Sequence, residues 1–195
     1  MSKKVNIAIF ASGSGTNAQA ILEYFQKIDW VDIKCIYSNN CEAYVLKRAQ
    51  NFGKETLTFS REEYYKSDKV IKHLQENEID LIILAGFMWL VPHKMVERFT
   101  IVNIHPALLP SYGGKGMYGH HVHEAVLENK EKQSGITIHM VNNEYDKGKI
   151  ILQQSCPVLP NDTPDSLADR IHKLEHAHYP PTIEKIAQKL HSKIA

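Results

Sequence analysis

The feature that most constrains the fold is the regular alternation of short apolar segments with amphipathic ones through the first hundred residues. Apolar segments typical of buried strands lie at 5–10, 31–37, 56–59, 80–85 and 101–104. Helical patterns separate them at 18–25, 42–51, 60–77 and 93–98. Because a strand, a helix and a second strand close as a right-handed crossover, this order predicts a mostly parallel sheet with helices on both faces.

Beyond residue 130 the pattern changes to two strand-like segments joined by a polar loop. Residues 135–141 alternate, with Thr137 and His139 on one face, and 150–158 has the pattern of a further strand. Two consecutive strands joined by a loop suggest an antiparallel pair added to the parallel sheet. We therefore expect an α/β protein with a mostly parallel, twisted sheet and an antiparallel strand pair near its C-terminal half.

The C-terminal segment predicts two helices. Pro164 suits the first position of a helix, whereas the pair Pro180 and Pro181 is expected to break it and leave a final helix over 182–194. The chain contains no repeat, low-complexity tract or linker. Its length is sufficient for one well-packed core, so we expect a single domain over 1–195.

A glycine-containing segment, ASGSGTN at 11–17, connects the first strand to the first helix. Backbone N–H groups converge where a strand, a tight turn and a helix start meet, and the helix dipole adds about half a positive charge. The segment is neither a P-loop nor a complete dinucleotide fingerprint, because GxxxxGK[ST] and GxGxxG are both missing. Two interpretations remain open: a phosphate-binding loop, or a tight turn in which Thr16 or Asn17 caps the helix.

The segment TIVNIHPALLP at 100–110 ends a predicted buried strand with two polar residues. Asn103 and His105 are two positions apart, so both side chains lie on one face of the strand, which Pro106 then ends. Ligands of open α/β sheets bind at such strand ends. We hypothesise that these two residues are the catalytic pair of an acyl-transfer enzyme; the alternative is a turn-capping asparagine beside a hydrogen-bonded histidine. Asp146, in a polar loop, is a candidate partner that would raise the pKa of His105.

Three further features carry candidate ligand-binding residues. GFMWLVP at 86–92 follows the most hydrophobic strand, and its bulky side chains either line an aromatic ligand's pocket or belong to the core. Arg61, in the first turn of its predicted helix, has the wrong sign for the helix dipole. It is either a solvated charge or a residue reserved for an acidic ligand. SYGGKGMYGH at 111–120 is expected to form a mobile, lid-like loop beside the proposed site.

Composition argues against several classes of function. With 43% hydrophobic residues, 23% charged residues and a net charge of +1, the chain has no overall field that favours nucleic acid. Apolar runs are too short for a membrane span, and no signal peptide is evident. Three cysteines without a CxxC motif fit a reducing cytoplasm. The pairs His121 with His123 and His172 with His176 are interpreted as surface residues rather than metal ligands, because HExxH and a third ligand are missing.

Taken together, five segments make the chain similar to the phosphoribosylglycinamide formyltransferases, a folate-dependent family of purine biosynthesis. The resemblance covers nearly the whole chain. It rests on the order and spacing of ASGSGTN near the start, LAGFMWLV at 84–91, VNIHPALLPSY at 102–112, GITIHMVNNEYDKG at 135–148 and LEHAHYP at 174–180. It implies a Rossmann-like fold with a mononucleotide-binding half over 1–100 and a catalytic and folate-binding half over 101–195.

The resemblance also implies roles for individual residues. The catalytic trio falls on Asn103, His105 and Asp146. The loop that binds the substrate phosphate in the family corresponds to Gly15, Thr16 and Asn17, and the acidic residue near the glycinamide amine corresponds to Glu175. The formyl-folate site of the family corresponds to Asn103, Arg61, Met88, Trp89, Leu90 and Val91. The loop around the pterin corresponds to residues 142–146. The chain departs from the family in two places: Thr16 stands where many members have serine, and the loop 111–120 is longer than the usual proline–glycine turn.

These roles imply that the formyl group of 10-formyltetrahydrofolate passes to the amine of 5'-phosphoribosylglycinamide through a tetrahedral intermediate. Asn103 and protonated His105 would stabilise the anionic oxygen, and His105 would move a proton from the amine to the folate nitrogen. Asp146 would hold or tune His105. No metal or covalent nucleophile is required. The expected partners are small molecules, with no nucleic acid and no membrane, and the protein is expected to be a cytoplasmic monomer or homodimer.

Three alternatives share part of this pattern. Methionyl-tRNA formyltransferase carries an additional C-terminal domain, for which the chain is too short. Formyltetrahydrofolate deformylase carries an N-terminal regulatory domain, whereas here the glycine loop begins by residue 12. A non-catalytic nucleotide-binding module of Rossmann type would use the glycine loop but would have no need of Asn103, His105 and Asp146 together.

Overall fold

The structure is a computed structural model that describes residues 3–194. Its centre is a seven-stranded sheet with the order β3-β2-β1-β4-β5-β6-β7. The strands are β1 (Val5–Phe10), β2 (Val31–Ser38), β3 (Glu55–Thr58), β4 (Leu81–Leu84), β5 (Thr100–His105), β6 (Gln133–Met140) and β7 (Ile150–Pro157). The strands β1 to β5 pair in parallel with their neighbours in the sheet. At the edge beyond β5, β6 and β7 add an antiparallel pair. The predicted fold class is confirmed.

Seven helices connect and cover the strands within the described residues. They are α1 (Thr16–Phe25), α2 (Tyr44–Asn51), α3 (Arg61–Tyr65), α4 (Lys69–Glu76), α5 (His93–Val96), α6 (His120–Glu128) and α7 (Pro164–Ile194). The segment between β5 and α6, where the loop 111–120 was predicted, is irregular up to Gly119. None of the helices among residues 3–194 combines the length and apolar character needed to cross a membrane.

The central strands of the sheet are buried on both faces, which explains their continuous apolar sequences, whereas the edge strands β3 and β7 are partly exposed. Along β1 the residues alternate between two core clusters: Ile7 and Ile9 pack on one side, and Ala8 and Phe10 on the other. Every residue of β1 and β4 is buried, as expected for central strands of a parallel sheet. The chain order reverses between β1 and β4, and such a switch point opens a crevice at the carboxyl ends of the strands.

The helix predicted over 60–77 is wrong in one respect, because the structure divides it into α3 and α4. Ser60 starts α3 with the predicted capping box to Glu63. The break follows from Ser67, whose hydroxyl donates to the Glu63 carbonyl at 2.8 Å and accepts from the Lys69 amide at 3.2 Å. A serine side chain that satisfies backbone groups locally offers the chain an alternative to continuing the helix.

The predicted break at Pro180 and Pro181 is also wrong, since α7 runs through both prolines. An interior proline costs about 3 kcal/mol through a lost hydrogen bond and a clash with the preceding turn. Packing on both sides of the prolines outweighs this cost, because Ile171, Tyr179 and Ile183 are fully buried against the sheet. Tertiary contacts therefore override the local preference.

Tyr179 connects α7 by hydrogen bonds to β4 and β5, whose carboxyl ends border the crevice. Its hydroxyl is buried and donates to the carbonyls of Leu84 at 2.9 Å and Val102 at 3.1 Å. We expect Tyr179→Phe to lower the free energy of unfolding by about 1–3 kcal/mol, because two buried acceptors lose a donor. Urea unfolding of the variant measures this loss. Tyr24→Phe is the matched control, since it removes a tyrosine hydroxyl that lies nearer the surface; equal losses in both variants would contradict the argument.

Candidate active site

A cavity of about 580 Å³ occupies the crevice at the carboxyl ends of β1, β4 and β5. Every residue assigned individually to a site from the sequence lies on its wall, whereas the loop 142–146 does so only in part. These residues are Gly15, Thr16, Asn17, Arg61, Met88, Trp89, Leu90, Val91, Asn103, His105, Asp146 and Glu175. Of the loop 142–146, the wall includes 144–146 but neither Asn142 nor Asn143. The structure thus brings residues from distant parts of the chain around one space.

The glycine loop forms one end of this cavity. Gly15 is the N-cap of α1 with a left-handed φ of 74°, and no side chain caps the helix, so the alternative in which Thr16 or Asn17 is the cap is wrong. A Cβ atom at Gly15 would overlap the side chain of Val45, which explains why glycine is needed there. The amides of the first helical turn lack intrahelical partners and are available to an anion. Arg48 supports the loop by donating from Nε to the Ser14 carbonyl at 2.8 Å.

The carboxylate of Asp146 lies beside the ring of His105, although the two residues are far apart in sequence. Their Oδ2 and Nδ1 atoms are 3.6 Å apart, and both side chains are almost completely buried. Asp146 adopts a left-handed φ of 55°, and its Oδ2 also accepts from the Gly114 amide at 2.9 Å. Asn103 lies two residues before His105 on β5 and faces the same cavity. The amide, imidazole and carboxylate predicted as a trio therefore lie together.

His139 belongs to the same cluster and was not recognised as a candidate from the sequence. It lies opposite Asn103 in the β5–β6 ladder, and the Asn103 Nδ2 atom donates to its Nε2 at 3.2 Å. Its Nδ1 donates to the Met140 carbonyl at 2.8 Å, and its Nε2 lies 3.6 Å from Asp146 Oδ1. The signal was present in the alternation of 135–141, which places His139 and Thr137 on one face. Only the strand register shows that this face meets Asn103.

Asp146 raises the pKa of His105 as expected, but the expectation that His105 is therefore charged is wrong, because the pKa is lowered overall. Burial lowers the pKa, and this effect, with the nearby His139, outweighs the raising effects of Asp146 and of a hydrogen bond to the Tyr112 carbonyl. His105 is therefore mainly neutral near pH 7 and able to accept a proton. Burial alone would raise the pKa of Asp146, but the neighbouring imidazoles of His139 and His105 and a hydrogen bond from the Gly114 amide hold it below its usual value.

Glu175 lies on α7 and lines the cavity next to the glycine loop. It is 5% exposed, and its Oε2 accepts from Asn17 Nδ2 at 2.9 Å. Burial raises the pKa of Glu175 to about 7, against the lowering effect of Asn17. The Oδ1 atom of Asn17 is buried without a hydrogen-bond partner. Both side chains therefore have hydrogen-bonding capacity left for a ligand.

The raised pKa of Glu175 predicts a pH-dependent stability. The folded protein binds a proton at Glu175 up to about pH 7, whereas the unfolded chain releases it near the ordinary glutamate pKa of 4.5. The stabilisation is complete below that unfolded value and is lost as pH rises through 7. We expect wild-type protein to lose up to about 3 kcal/mol more stability between pH 5 and 8 than Glu175→Gln. Urea unfolding at both pH values measures this, with the exposed Glu62→Gln as control; parallel losses in all three proteins would contradict it.

The mouth of the cavity carries an aromatic and cationic cluster. The guanidinium of Arg61 lies over the rings of Tyr65 and Trp89, 5.3 Å and 5.7 Å from their centroids. Met88 is 49% exposed on the cavity wall, whereas Val91 is 3% exposed and also packs in the core. The two interpretations of 86–92 are therefore both partly right, since the segment lines a pocket and contributes to the core.

His123 corrects the interpretation of the helix-end histidines as surface residues. It is 3% exposed on α6, faces the cavity, and has a buried Nδ1 without a hydrogen-bond partner. Burial, together with neighbouring His172, His120 and His105, lowers the pKa of His123 to about 4. It is therefore a neutral group of the cavity wall. Within residues 3–194, no three His, Cys, Asp or Glu side chains are grouped so that they could hold a metal ion.

The fold and the site define a group-transfer enzyme with a Rossmann-like sheet. The family model described as formyl transferase matches residues 5–183. The chain belongs to the formyl transferase family. The resemblance found in the sequence and the assignment as an enzyme are thus confirmed.

Relatives within the family are named phosphoribosylglycinamide formyltransferase. The protein of that name from Dictyostelium discoideum is 38% identical over 94% of this chain and 98% of its own length. The chloroplastic protein of that name from Arabidopsis thaliana is 36% identical over 96% of this chain, which spans 67% of that relative. The crystal structure of the phosphoribosylglycinamide formyltransferase from Anaplasma phagocytophilum superposes with a TM-score of 0.87 at 38% identity, covering 96% of this chain and 89% of that one.

Proposed function

We propose that this protein transfers the formyl group of 10-formyltetrahydrofolate to the amine of 5'-phosphoribosylglycinamide, as in de novo purine biosynthesis. One observation carries the proposal: Asn103, His105 and Asp146 line one cavity together with the glycine loop and Glu175. An acyl-transfer centre placed between an anion-binding turn and an aromatic mouth suits these two substrates. The names of the relatives support the same assignment.

The phosphorylated acceptor fits the end of the cavity formed by the glycine loop. Its phosphate would accept hydrogen bonds from the amides of Gly15, Thr16 and Asn17 at the N-terminus of α1, where the dipole favours negative charge. Glu175 would hold the glycinamide amine, and the Asn17 bond orients its carboxyl. The amine would then lie in the same cavity as His105, where the transfer is proposed to occur.

The transfer needs no external oxidant or cofactor beyond the formyl donor. The amine lone pair forms a bond to the formyl carbon, and the carbonyl π electrons move to oxygen. The nitrogen then loses a proton, the folate nitrogen gains one, and the bond from the formyl carbon to that nitrogen breaks as the carbonyl re-forms. The products are the N-formylated acceptor and tetrahydrofolate, with no net proton change.

The residues around the formyl carbon have complementary roles in this sequence. Neutral His105 would take the proton of the attacking amine at Nδ1 and return it to the folate nitrogen. The second N–H of the Asn103 amide, which its bond to His139 leaves free, would donate to the developing oxyanion. Asp146 would stabilise the imidazolium that forms during transfer.

The donor fits the opposite end of the cavity. Its aromatic parts would lie along the segment formed by Met88, Trp89, Leu90 and Val91, next to 144–146. Arg61 would attract the carboxylates of the donor's tail, because its guanidinium lies at the mouth and remains exposed. These assignments extend the roles that the resemblance implied.

The remaining expectations stand as parts of the proposal. We propose one domain over 1–195, with its mononucleotide-binding half over 1–100 and its catalytic half over 101–195. We propose a cytoplasmic monomer or homodimer acting on small molecules, without a nucleic acid, membrane or metal partner. The free thiols of Cys35, Cys41 and Cys156 support a reducing compartment.

An absorbance assay of folate release tests the proposal. The protein is incubated with 10-formyltetrahydrofolate, with and without 5'-phosphoribosylglycinamide. We expect release of tetrahydrofolate only with the acceptor, and formation of the formylated acceptor in equal amount. Acceptor-independent release would indicate hydrolysis, and tight binding of a nicotinamide dinucleotide without folate binding would indicate a nucleotide-binding module; either result would reject the proposal.

A further inference from the structure

Tyr112 has an unusual backbone conformation directly beside the proposed catalytic histidine. Its φ is 56°, in the left-handed region that residues other than glycine rarely occupy. Its carbonyl oxygen accepts a hydrogen bond from His105 Nε2 at 2.7 Å. Functional sites often hold residues in such costly conformations when the surrounding structure enforces them.

This contact determines which nitrogen of His105 carries the proton in the neutral ring. A carbonyl can only accept, so Nε2 must be the donor and its hydrogen is occupied. The lone pair of the neutral ring is therefore on Nδ1, the atom that lies 3.6 Å from Asp146 Oδ2. A proton taken up at Nδ1 would be placed next to the carboxylate that stabilises it.

The same short segment also contacts Asp146. The amide of Gly114 donates to Asp146 Oδ2 at 2.9 Å. A Cβ atom at Gly113 would be 2.5 Å from Leu109 Cδ2 and 3.3 Å from Asp146 Cβ, so the backbone approaches the carboxylate closely. Residues 112–114 thus bind both members of the pair through backbone atoms, and we call this segment the backbone clasp.

A side-chain hydrogen bond outside the cavity fixes the position of the backbone clasp. The hydroxyl of Tyr112 donates to Oε1 of Glu131, in the connection between α6 and β6, at 2.8 Å. This bond fixes the ring of Tyr112 to a neighbouring segment and opposes relaxation of its backbone out of the left-handed region. Glu131 itself is exposed and is not on the cavity wall.

We propose that Tyr112 is a positioning residue for His105: its carbonyl selects the tautomer with the proton on Nε2, and its bond to Glu131 keeps the carbonyl aimed at that nitrogen. The kinetic consequence rests on the proposed function, because it assumes that His105 moves a proton during transfer. The structural consequence, the tautomer of His105, does not depend on which reaction the protein catalyses.

The test uses three variants of the full chain and one matched control. Tyr112→Phe removes the hydroxyl and keeps the ring, Glu131→Ala removes the acceptor, and Glu131→Gln keeps an acceptor oxygen. Tyr24→Phe is the control, because it removes another tyrosine hydroxyl bonded to a carboxylate, at Glu184, away from the cavity. Thermal unfolding establishes that each variant is folded before it is compared.

The first measurement is the protonation of the His105 ring nitrogens by ¹⁵N NMR of histidine-labelled protein. Its signals are identified by their loss in His105→Asn. We expect the proton on Nε2 in wild type and in Tyr24→Phe. We expect a mixture of the two tautomers in Tyr112→Phe and Glu131→Ala. In Glu131→Gln we expect a fraction of the Nδ1-protonated tautomer between those of wild type and Glu131→Ala. A wild-type tautomer in all variants would overturn the inference.

The second measurement is the pH profile of formyl transfer. We expect Tyr112→Phe and Glu131→Ala to lower kcat about tenfold, with KM values for both substrates within about twofold of wild type. The acidic limb of kcat/KM should move to lower pH, because the Tyr112 carbonyl raises the pKa of His105. The other groups that face His105, namely Asp146, His139 and His123, are unchanged in these variants.

The two measurements separate the inference from the proposed function. Wild-type protein that lacks acceptor-dependent transfer would reject the proposed function, while the NMR result would still decide the role of Tyr112. A loss of kcat with an unchanged tautomer and an unchanged pH profile would reject the positioning role and assign the loss to general structure.

Discussion

Replacing His105 by alanine is expected to lower kcat for formyl transfer by about 1000-fold, with KM values for both substrates changed by less than about threefold. The variant loses the group that accepts the amine proton and returns it to the folate nitrogen. The side chain faces an existing cavity, so its removal leaves the core packing intact. Steady-state kinetics with both substrates varied measures the loss.

The control for this variant is His191→Ala. That histidine lies near the end of α7, where its Nε2 contacts the Lys3 carbonyl and its ring packs on Trp30. We expect transfer rates near wild type for the control, and cooperative unfolding for both variants. A rate within about tenfold of wild type in His105→Ala would remove His105 from the mechanism.

Replacing Asp146 by asparagine is expected to lower kcat by about 100-fold. The substitution keeps the size of the side chain but removes the charge that stabilises imidazolium at His105, 3.6 Å away. Because Asp146 raises the pKa of His105, its loss should lower that pKa further and move the acidic limb of kcat/KM to lower pH. A pH profile from 5 to 9 measures both effects.

The double variant His105→Ala, Asp146→Asn decides whether the carboxylate acts through the imidazole. If it does, the double variant should be slower than His105→Ala by no more than about threefold. Losses that multiply would show that Asp146 acts independently, through His139 or on the substrate itself. Asp146 Oδ1 lies 3.6 Å from His139 Nε2, so that second route is structurally available.

Local patterns predicted most of the fold because strand and helix periodicities are properties of consecutive residues. The alternation in the first half predicted β1 to β5 and their parallel arrangement, and the polar loop between two strands predicted the antiparallel pair. The same reasoning failed at Ser67 and at Pro180 and Pro181. In the first case a serine side chain bonded the backbone locally, and in the second case burial of α7 outweighed the cost of the prolines.

The candidate site was predicted only where its residues share a strand or a loop. Asn103 and His105 were paired by their spacing. Asp146, Arg61, the glycine loop and 86–92 were open candidates, and their specific roles required the resemblance to a known family. His139 was missed because its contact with Asn103 depends on the register between β5 and β6, which no local pattern specifies. His123 was interpreted as a surface residue because its burial depends on how α6 packs over the cavity.

The amino-acid sequence by itself determined the alternating elements, the glycine turn after β1 and the amide and imidazole at the end of β5, because each depends on neighbouring residues. The tertiary structure alone decided that the Asp146 carboxylate meets the His105 ring. It also decided that burial lowers the pKa of this histidine and that the Tyr112 carbonyl binds its Nε2. Such contacts and the exclusion of water arise only when distant segments pack together.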